Sequence, residues 1–236
     1  MERLDKRVAN AEAVIGRVKE GATILMGAFG TCGVPENLIN ALIRQGTKNL
    51  TVASNNPGID GYGIGALLEN RQVKKLIASY VGSNKFFEKL ALNNEIEMEL
   101  NPQGTLAERM RAAGAGIPAF FTPTGYGTMV AEGREVRDFD GRPHILMPAL
   151  RGDFAFVKAW KGDRWGNLVY RKTARNFNPV VATAADYVIA EVEEIVELGA
   201  IDPDHVHTPG IFVDAIFQGA NYKKPMEPGP KRKRGS

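Results

Sequence analysis

Four times in the first 115 residues a short apolar run leads through a loop into a stretch of helical period. The runs are ATILMG at 22–27, NLTVAS at 49–54, KKLIASY at 74–80 and EIEMEL at 95–100. Helical stretches follow from Pro35 to about Gly46, from about Gly65 to Asn70, over 85–93 and over 106–115. Short apolar runs between turn signals read as buried strands, and apolar residues three and four apart read as helix faces. Units of this kind predict an α/β fold with an open, mostly parallel sheet and helices on both faces. Pro35 suits a helix start, where its missing N–H goes unnoticed.

The flanks read differently. Val8, Ala11, Val14, Ile15 and Val18 share one face and predict an amphipathic helix over 5–20. The charged start does not resemble a signal peptide. Beyond residue 120, TPTGYGT at 122–128 predicts a loop. VRDFDGRPHILMP holds two short strands around an Asp-Gly turn, and DFAFVKAW with NLVYR predicts a hairpin across KGDRWG. DYVIAEVEEIVEL begins with strand-like alternation, although its acids also permit a helix. No composition break marks a linker, so one domain is expected over 1–222 and a basic, flexible tail over 223–236.

Composition removes several classes. Cys32 is the only cysteine, which excludes an internal disulfide and a four-cysteine zinc site. Apolar content of 44% excludes disorder for most of the chain. No apolar window is long enough for a transmembrane helix. The net charge of +3 belongs to the tail: GPKRKRGS carries four positive charges, leaving −1 for the rest. Neither a nucleic-acid nor a membrane partner is expected, and a cytoplasmic location is favoured (or an organelle matrix after loss of a targeting segment).

Candidate chemistry gathers after the strands. Gly27, Gly30 and Gly33 lie between a strand and a helix, where glycine allows close backbone approach and a helix start offers free N–H groups. Their spacing fits neither the dinucleotide fingerprint nor the P-loop, and no lysine follows. Asn55 and Asn56 stand just past a strand, where open parallel sheets place ligands, but N-N-P-G is equally good turn chemistry. Gln103 in N-P-Q-G-T carries an amide able to donate to an oxyanion; spacing alone favours a helix-start residue bonded to nearby backbone. His144 reads as a packed or edge residue, and His205 and His207 as part of a loop rather than a metal pair. Cys32 stands near a helix start, where a thiol can be reactive, but no histidine is close in sequence and a free cysteine reads first as buried. No Ser–His–Asp arrangement or G-x-S-x-G motif is present.

Longer words narrow the reading. ATILMGAFGTCGVPENLINAL closely resembles the glycine-loop signature of the A (alpha) subunit of family I coenzyme A transferases. SNNPGIDGYGIGALL, IASYVGSN, ELNPQGTLAERMRAAGAGIPAFFTPTGYGT, RGDFAFVKAWKGDRWGNLVYR, NFNPVVATAA and IDPDHVHTPGIFVD follow in the family's order. The resemblance covers roughly residues 5–217 and is nearest to the succinyl-CoA-linked 3-oxoacid and 3-oxoadipate group. Two positions depart from it: Gly27-Ala28-Phe29 stands where the signature reads G-G-F, and Glu20-Gly21 where Asp or Asn precedes glycine.

The resemblance implies the CoA-transferase fold, related to the NagB-like folds, and transfer of CoA between carboxylates through a glutamyl-CoA thioester. It places that glutamate in an S-E-N-G motif of a B subunit. This chain has no such motif; Leu68-Glu69-Asn70-Arg71 is the nearest approach. The chain is therefore expected to be inactive alone and to join its partner as α2β2. The resemblance assigns Gln103 to the oxyanion hole, and Gly27, Phe29, Gly30, Gly33, Asn55 and Asn56 to the acyl or CoA pocket. Coenzyme A enters as a substrate thioester; no metal or permanently bound cofactor is expected. The competing reading is a stand-alone module that binds sugar phosphates or acyl groups on the same class of fold.

Overall fold

The computed structural model describes residues 5–225. Among the described residues eleven strands build two sheets. The strands are β1 (Thr23–Met26), β2 (Leu50–Ala53), β3 (Val73–Ala78), β4 (Glu97–Leu100), β5 (Ala119–Thr122), β6 (Val136–Phe139), β7 (Arg142–Pro148), β8 (Gly152–Asp163), β9 (Leu168–Val169), β10 (Ala185–Val196) and β11 (Ala215–Gln218). The helices are α1 (Glu12–Ile15), α2 (Glu36–Gln45), α3 (Ile64–Glu69), α4 (Lys85–Leu92), α5 (Gln103–Gly114) and α6 (Asn178–Val181). Among the described residues no helix is long and apolar enough to cross a membrane.

The main sheet runs β11-β10-β8-β1-β2-β3-β4, with β9 pairing antiparallel to β8 and every other pairing parallel. The chain adds strands outward from β1 to β4, then returns to the other side of β1 with β8. Right-handed crossovers keep connecting helices on one face while strands are added in one direction, and on the other face once the direction reverses. The packing follows that rule. Ile24 and Met26 of β1 face a core built with α1 through α4, while Leu25 faces one built with α5 and α6. The expected open parallel sheet, covered on both faces, is the observed fold.

Most elements lie where the sequence puts them. Helix α2 begins after Pro35 and ends at Gly46, which takes a left-handed φ of 75°. The Asp140-Gly141 turn joins β6 to β7, with both residues at positive φ. The segment expected over 186–198 forms the strand Ala185–Val196 rather than a helix, because Ile189 to Val192 are sandwiched between β8 and β11. The main correction is at the N-terminus. Only four residues of the expected 5–20 helix are α-helical. Arg7 instead lies parallel to Ile216 of β11, and Val8 N–H donates to the Ile216 carbonyl at 2.9 Å. An unpaired sheet edge offers hydrogen bonds that outweigh a marginal helical periodicity. Ala11, Val14, Ile15 and Val18 are nevertheless buried, as the pattern required.

A small antiparallel sheet, β5-β7-β6, is inserted between α5 and β8. Its first strand, Ala119–Thr122, was not apparent in the sequence. Arg109 of α5 anchors it: its Nε donates to the Pro148 carbonyl at 2.9 Å, and its Nη1 donates to Glu99 Oε1 at 2.5 Å and Asn101 Oδ1 at 2.8 Å. The tail expected over 223–236 lies outside the described residues from 226 onward.

Glu99 links β4 to α5 electrostatically. Burial would raise its carboxyl, but hydrogen bonds from Lys75 and Arg109 overcome that and hold it at about 2. A carboxyl depressed in the folded state contributes stability above its unfolded pKa and loses it as pH falls toward the folded value. Glu99→Gln leaves Arg109 charged and buried without its partner. It should cost about 2 kcal/mol near neutral pH, less than a fully buried pair, because the Glu99 side chain is 26% exposed. Urea titrations of both proteins should show this gap closing between about pH 4.5 and pH 2; a gap independent of pH would contradict the assignment.

Candidate functional site

The glycine loop leaves the sheet at the carboxyl end of β1. Gly27 N–H still pairs with Phe156 of β8 at 3.0 Å. Phe29 and Cys32 then exchange two backbone hydrogen bonds of 3.0 Å around Gly30-Thr31. The following loop makes the same kind of bridge between Ile59 and Tyr62. Two glycines in the first loop are required by close approach. A Cβ on Gly27 would stand 1.8 Å from Asn178 Oδ1, and one on Gly33, at a φ of +68°, would stand 2.6 Å from the Ala174 carbonyl.

Asn178 explains that contact. It is fully buried at the start of α6. Its Oδ1 accepts from Lys158 N–H at 2.8 Å, and its Nδ2 donates to the carbonyls of Gly33 and Ala174 at 3.1 and 3.0 Å. One carboxamide thus ties the glycine loop to β8 and α6. Ala28 is not among the residues with positive φ, and its methyl is buried in the core. The departure from the G-G-F signature is accommodated without backbone strain.

The asparagine pair sits at the end of β2, with Asn55 and Asn56 only 2% and 4% exposed. Asn56 Oδ1 accepts from Gly30 N–H at 3.1 Å. Asn55 Oδ1 accepts from Gln103 Nε2 at 2.7 Å and from the Ser79 hydroxyl at 2.9 Å. Gln103 is the first residue of α5, three positions before the expected start, and its side chain lies at the surface. Gly30, Asn56, Asn55 and Gln103 therefore form one continuous arc across the carboxyl ends of the strands. Gly27 and Gly33 stand behind it against Asn178, and Phe29 is 50% exposed.

The other candidates fall away from this arc. Two helix arginines able in principle to pair a substrate carboxylate are both engaged, Arg109 by Glu99 and Arg111 by Glu108. His144 packs edge-on against Phe139. His207 stacks on Tyr170 and accepts its backbone N–H through Nδ1 at 2.9 Å; burial lowers its pKa, favouring the neutral ring that this bond needs. Among the described residues no group of three potential metal ligands is close together. Cys32 is exposed, contrary to the burial expected of it, because the Phe29–Cys32 turn lifts it off the core.

A cavity of about 230 Å³ opens beside the glycine loop, where strand order reverses between β1 and β8. Cys32, Glu36, Tyr62, Lys158, Trp160 and Tyr222 are among its lining residues. Lys158 Nζ donates to Glu193 Oε1 at 2.9 Å and lies 3.9 Å from the Tyr222 ring centre. Its cross-strand neighbour Glu191 is fully buried and accepts from Leu38 N–H at 2.8 Å. Burial pushes the Glu191 carboxyl up to about 7, against the pull of that N–H and of Lys158. The sequence reading missed Lys158, Asn178 and Glu191. For Lys158 and Glu191 the available signal was a charge at a buried position of an otherwise apolar strand; Asn178 carried none.

The Gly27–Asn178 contact yields a stability prediction. Gly27→Ala must displace a carboxamide that serves three partners, and should cost about 3 kcal/mol. Ala28→Gly removes one buried methyl and adds chain entropy, and should cost about 1 kcal/mol. Thermal melts of the two variants rank them; equal losses would mean that Asn178 does not brace the loop.

Comparison with known proteins agrees with the architecture. The family model for coenzyme A transferase matches residues 8–219. The A subunit of the Xanthomonas campestris succinyl-CoA:3-ketoacid coenzyme A transferase is 59% identical, over 94% of this chain and 92% of that protein. The human mitochondrial succinyl-CoA:3-ketoacid coenzyme A transferase 2 is 49% identical, over 94% of this chain but only 46% of that protein. An Escherichia coli acyl-CoA transferase, solved as a thioester complex with CoA, superposes with a TM-score of 0.84 over 97% of this chain and 50% of its own, at 22% identity. The chain belongs to the coenzyme A transferase family.

Proposed function

We propose that this chain is the A subunit of a CoA-transferase that moves CoA between succinyl-CoA and a short 3-oxoacid such as acetoacetate or 3-oxoadipate. The reaction needs a carboxylate nucleophile. A glutamate attacks the thioester carbonyl, the CoA thiolate leaves, and an acyl-glutamyl anhydride forms. The thiolate then attacks the glutamyl carbonyl, releasing the first carboxylate and leaving a glutamyl-CoA thioester. The acceptor acid reverses both steps. Splitting the exchange this way preserves the energy of the thioester.

The observation that carries the reading is the placement of Gln103. One N–H of its carboxamide is held by Asn55 at 2.7 Å, and the second remains for a substrate oxygen. Each tetrahedral intermediate concentrates negative charge on the former carbonyl oxygen, which a fixed neutral donor stabilises without titrating. Gly30 and Asn56, joined to the same arc, would form the adjoining wall of the acyl or CoA pocket. The other glycines of the loop support that wall from behind. Coenzyme A arrives and leaves as substrate, and the chemistry calls for no resident cofactor.

The nucleophile comes from outside this chain in this reading. Glu99, on β4 ahead of Gln103 in the chain, is held ionised by Lys75 and Arg109. Glu69 of the L-E-N-R segment accepts Gly61 N–H at 2.8 Å. The family resemblance assigns the glutamate to a B subunit carrying S-E-N-G, and the proposed assembly with it is α2β2. The human relative has a length beyond this chain sufficient for such a second half. Exposed apolar side chains in the β5–β7 excursion, such as Tyr126 and Met129, suit a protein partner. A stand-alone binding module would leave the exposed Gln103 amide without a role.

Co-expression with the S-E-N-G subunit should give CoA transfer from succinyl-CoA to one of the two oxoacids, and the isolated chain should give none. In the complex, Gln103→Ala should lower kcat by about 10²–10³ with assembly intact. A loss below about tenfold would remove Gln103 from the oxyanion hole. Activity of the chain alone would place the nucleophile here and overturn the split site.

A further inference from the structure

The Gln103 amide is useful only if its free N–H points at the substrate. Its own position does not guarantee that. Gln103 opens α5 with its side chain at the surface, and a glutamine there has several rotamers and two amide orientations within reach. A hydroxyl at the end of β3 removes the ambiguity. Ser79 makes three contacts with Asn55: its N–H donates to the Asn55 carbonyl at 2.9 Å, and its Oγ lies 2.9 Å from both that carbonyl and Oδ1.

A serine hydroxyl has one hydrogen. The Asn55 carbonyl already receives the Ser79 N–H, and the hydroxyl has both that carbonyl and Oδ1 within 2.9 Å; its donation to Oδ1 is the contact that bears on Gln103. Asn55 Oδ1 then accepts from Ser79 on one side and Gln103 on the other. Two donors fix which end of the Asn55 amide faces Gln103. An oxygen at that end requires Gln103 to present Nε2, not Oε1. We propose that Ser79 is a positioning residue for the transferase reaction, acting through Asn55 to set the orientation of the Gln103 amide. This rests on the oxyanion role proposed for Gln103.

The relay is directional. The Ser79 hydroxyl polarises the Asn55 amide, making its oxygen a better acceptor for one Gln103 hydrogen. That bond spends one N–H and aims the other. Loss of the hydroxyl leaves all three backbones in place, but the Asn55 amide is free to turn. Its Nδ2 would then oppose Gln103 Nε2, and the glutamine would have to rotate its oxygen toward Asn55 or swing away. Either movement withdraws or misaims the donor while substrate binding elsewhere is untouched. The signature is a fall in kcat with little change in KM.

The test is a double-mutant cycle in the complex with the B subunit. Ser79→Ala should lower kcat about tenfold, the scale of one hydrogen bond, with both KM values within about twofold. Ser79→Thr, which keeps the hydroxyl, should recover most of the rate. In a Gln103→Ala background, Ser79→Ala should cost nothing more, because the group it orients is gone. If Gln103→Ala alone is inert, the oxyanion reading fails and the relay with it. If Gln103→Ala costs its expected factor while Ser79→Ala is silent, or costs the same in both backgrounds, only the relay is overturned. A merely structural serine would give that additive result.

Discussion

Backbone groups at the carboxyl ends of parallel strands run out of sheet partners, and the loops leaving them must supply new ones. This chain meets the demand largely with carboxamides. Asn178 receives Lys158 N–H and donates to Gly33, Asn56 receives Gly30 N–H, and Asn55 receives Gln103 and Ser79. An amide both donates and accepts, so one side chain can join two loops of opposite need. The glycines follow from this arrangement. Gly27 lacks a Cβ because Asn178 occupies that place, and the departure at Ala28 is harmless because its side faces core.

The neutrality of these groups matters to the site they frame. Charged groups on β4 and β10 are paired with lysine or arginine. Glu99 sits between Lys75 and Arg109, and Glu193 between Lys158 and Lys224. A fixed cation beside Gln103 would hold a carboxylate substrate too firmly in its ground state, where binding gives no acceleration. An amide donor gains strength as charge develops on the oxygen it faces. The proposed chemistry and the structural use of carboxamides thus draw on the same property.

How much of this was legible depended on whether the signal was local. Strands β1 to β4 and helices α2 to α5 follow from apolar period and turn residues, because both are properties of neighbours in sequence. The N-terminal segment misled for the same reason. Val8, Ala11, Val14 and Ile15 carry a helical period, yet Val8 pairs with Ile216, more than two hundred residues away. Asn56 and Gln103 were visible as polar residues just past strands. Ser79 and Asn178 lay inside segments that matched the family but carried no local mark of their role. A serine after a strand and an asparagine before a proline read as turn residues until the fold shows what they reach. Cys32 reversed its expectation because a two-residue turn, not its own polarity, sets its exposure.

The exposure of Gln103 bears on why such a site would be divided between chains. A hydrogen bond to a developing oxyanion is worth most where water cannot compete, and least at an open surface. On this chain alone the arc is assembled but one of its ends is wet. A carboxylate nucleophile placed permanently beside it would face the opposite difficulty, since burying it unpaired is costly. In the proposed assembly the partner's surface excludes water from Gln103 and its glutamate is supplied from the facing side. The preorganised half of the machinery can then be rigid and neutral, held by Asn55, Asn56 and Asn178, while the reactive charge resides on the half that arrives.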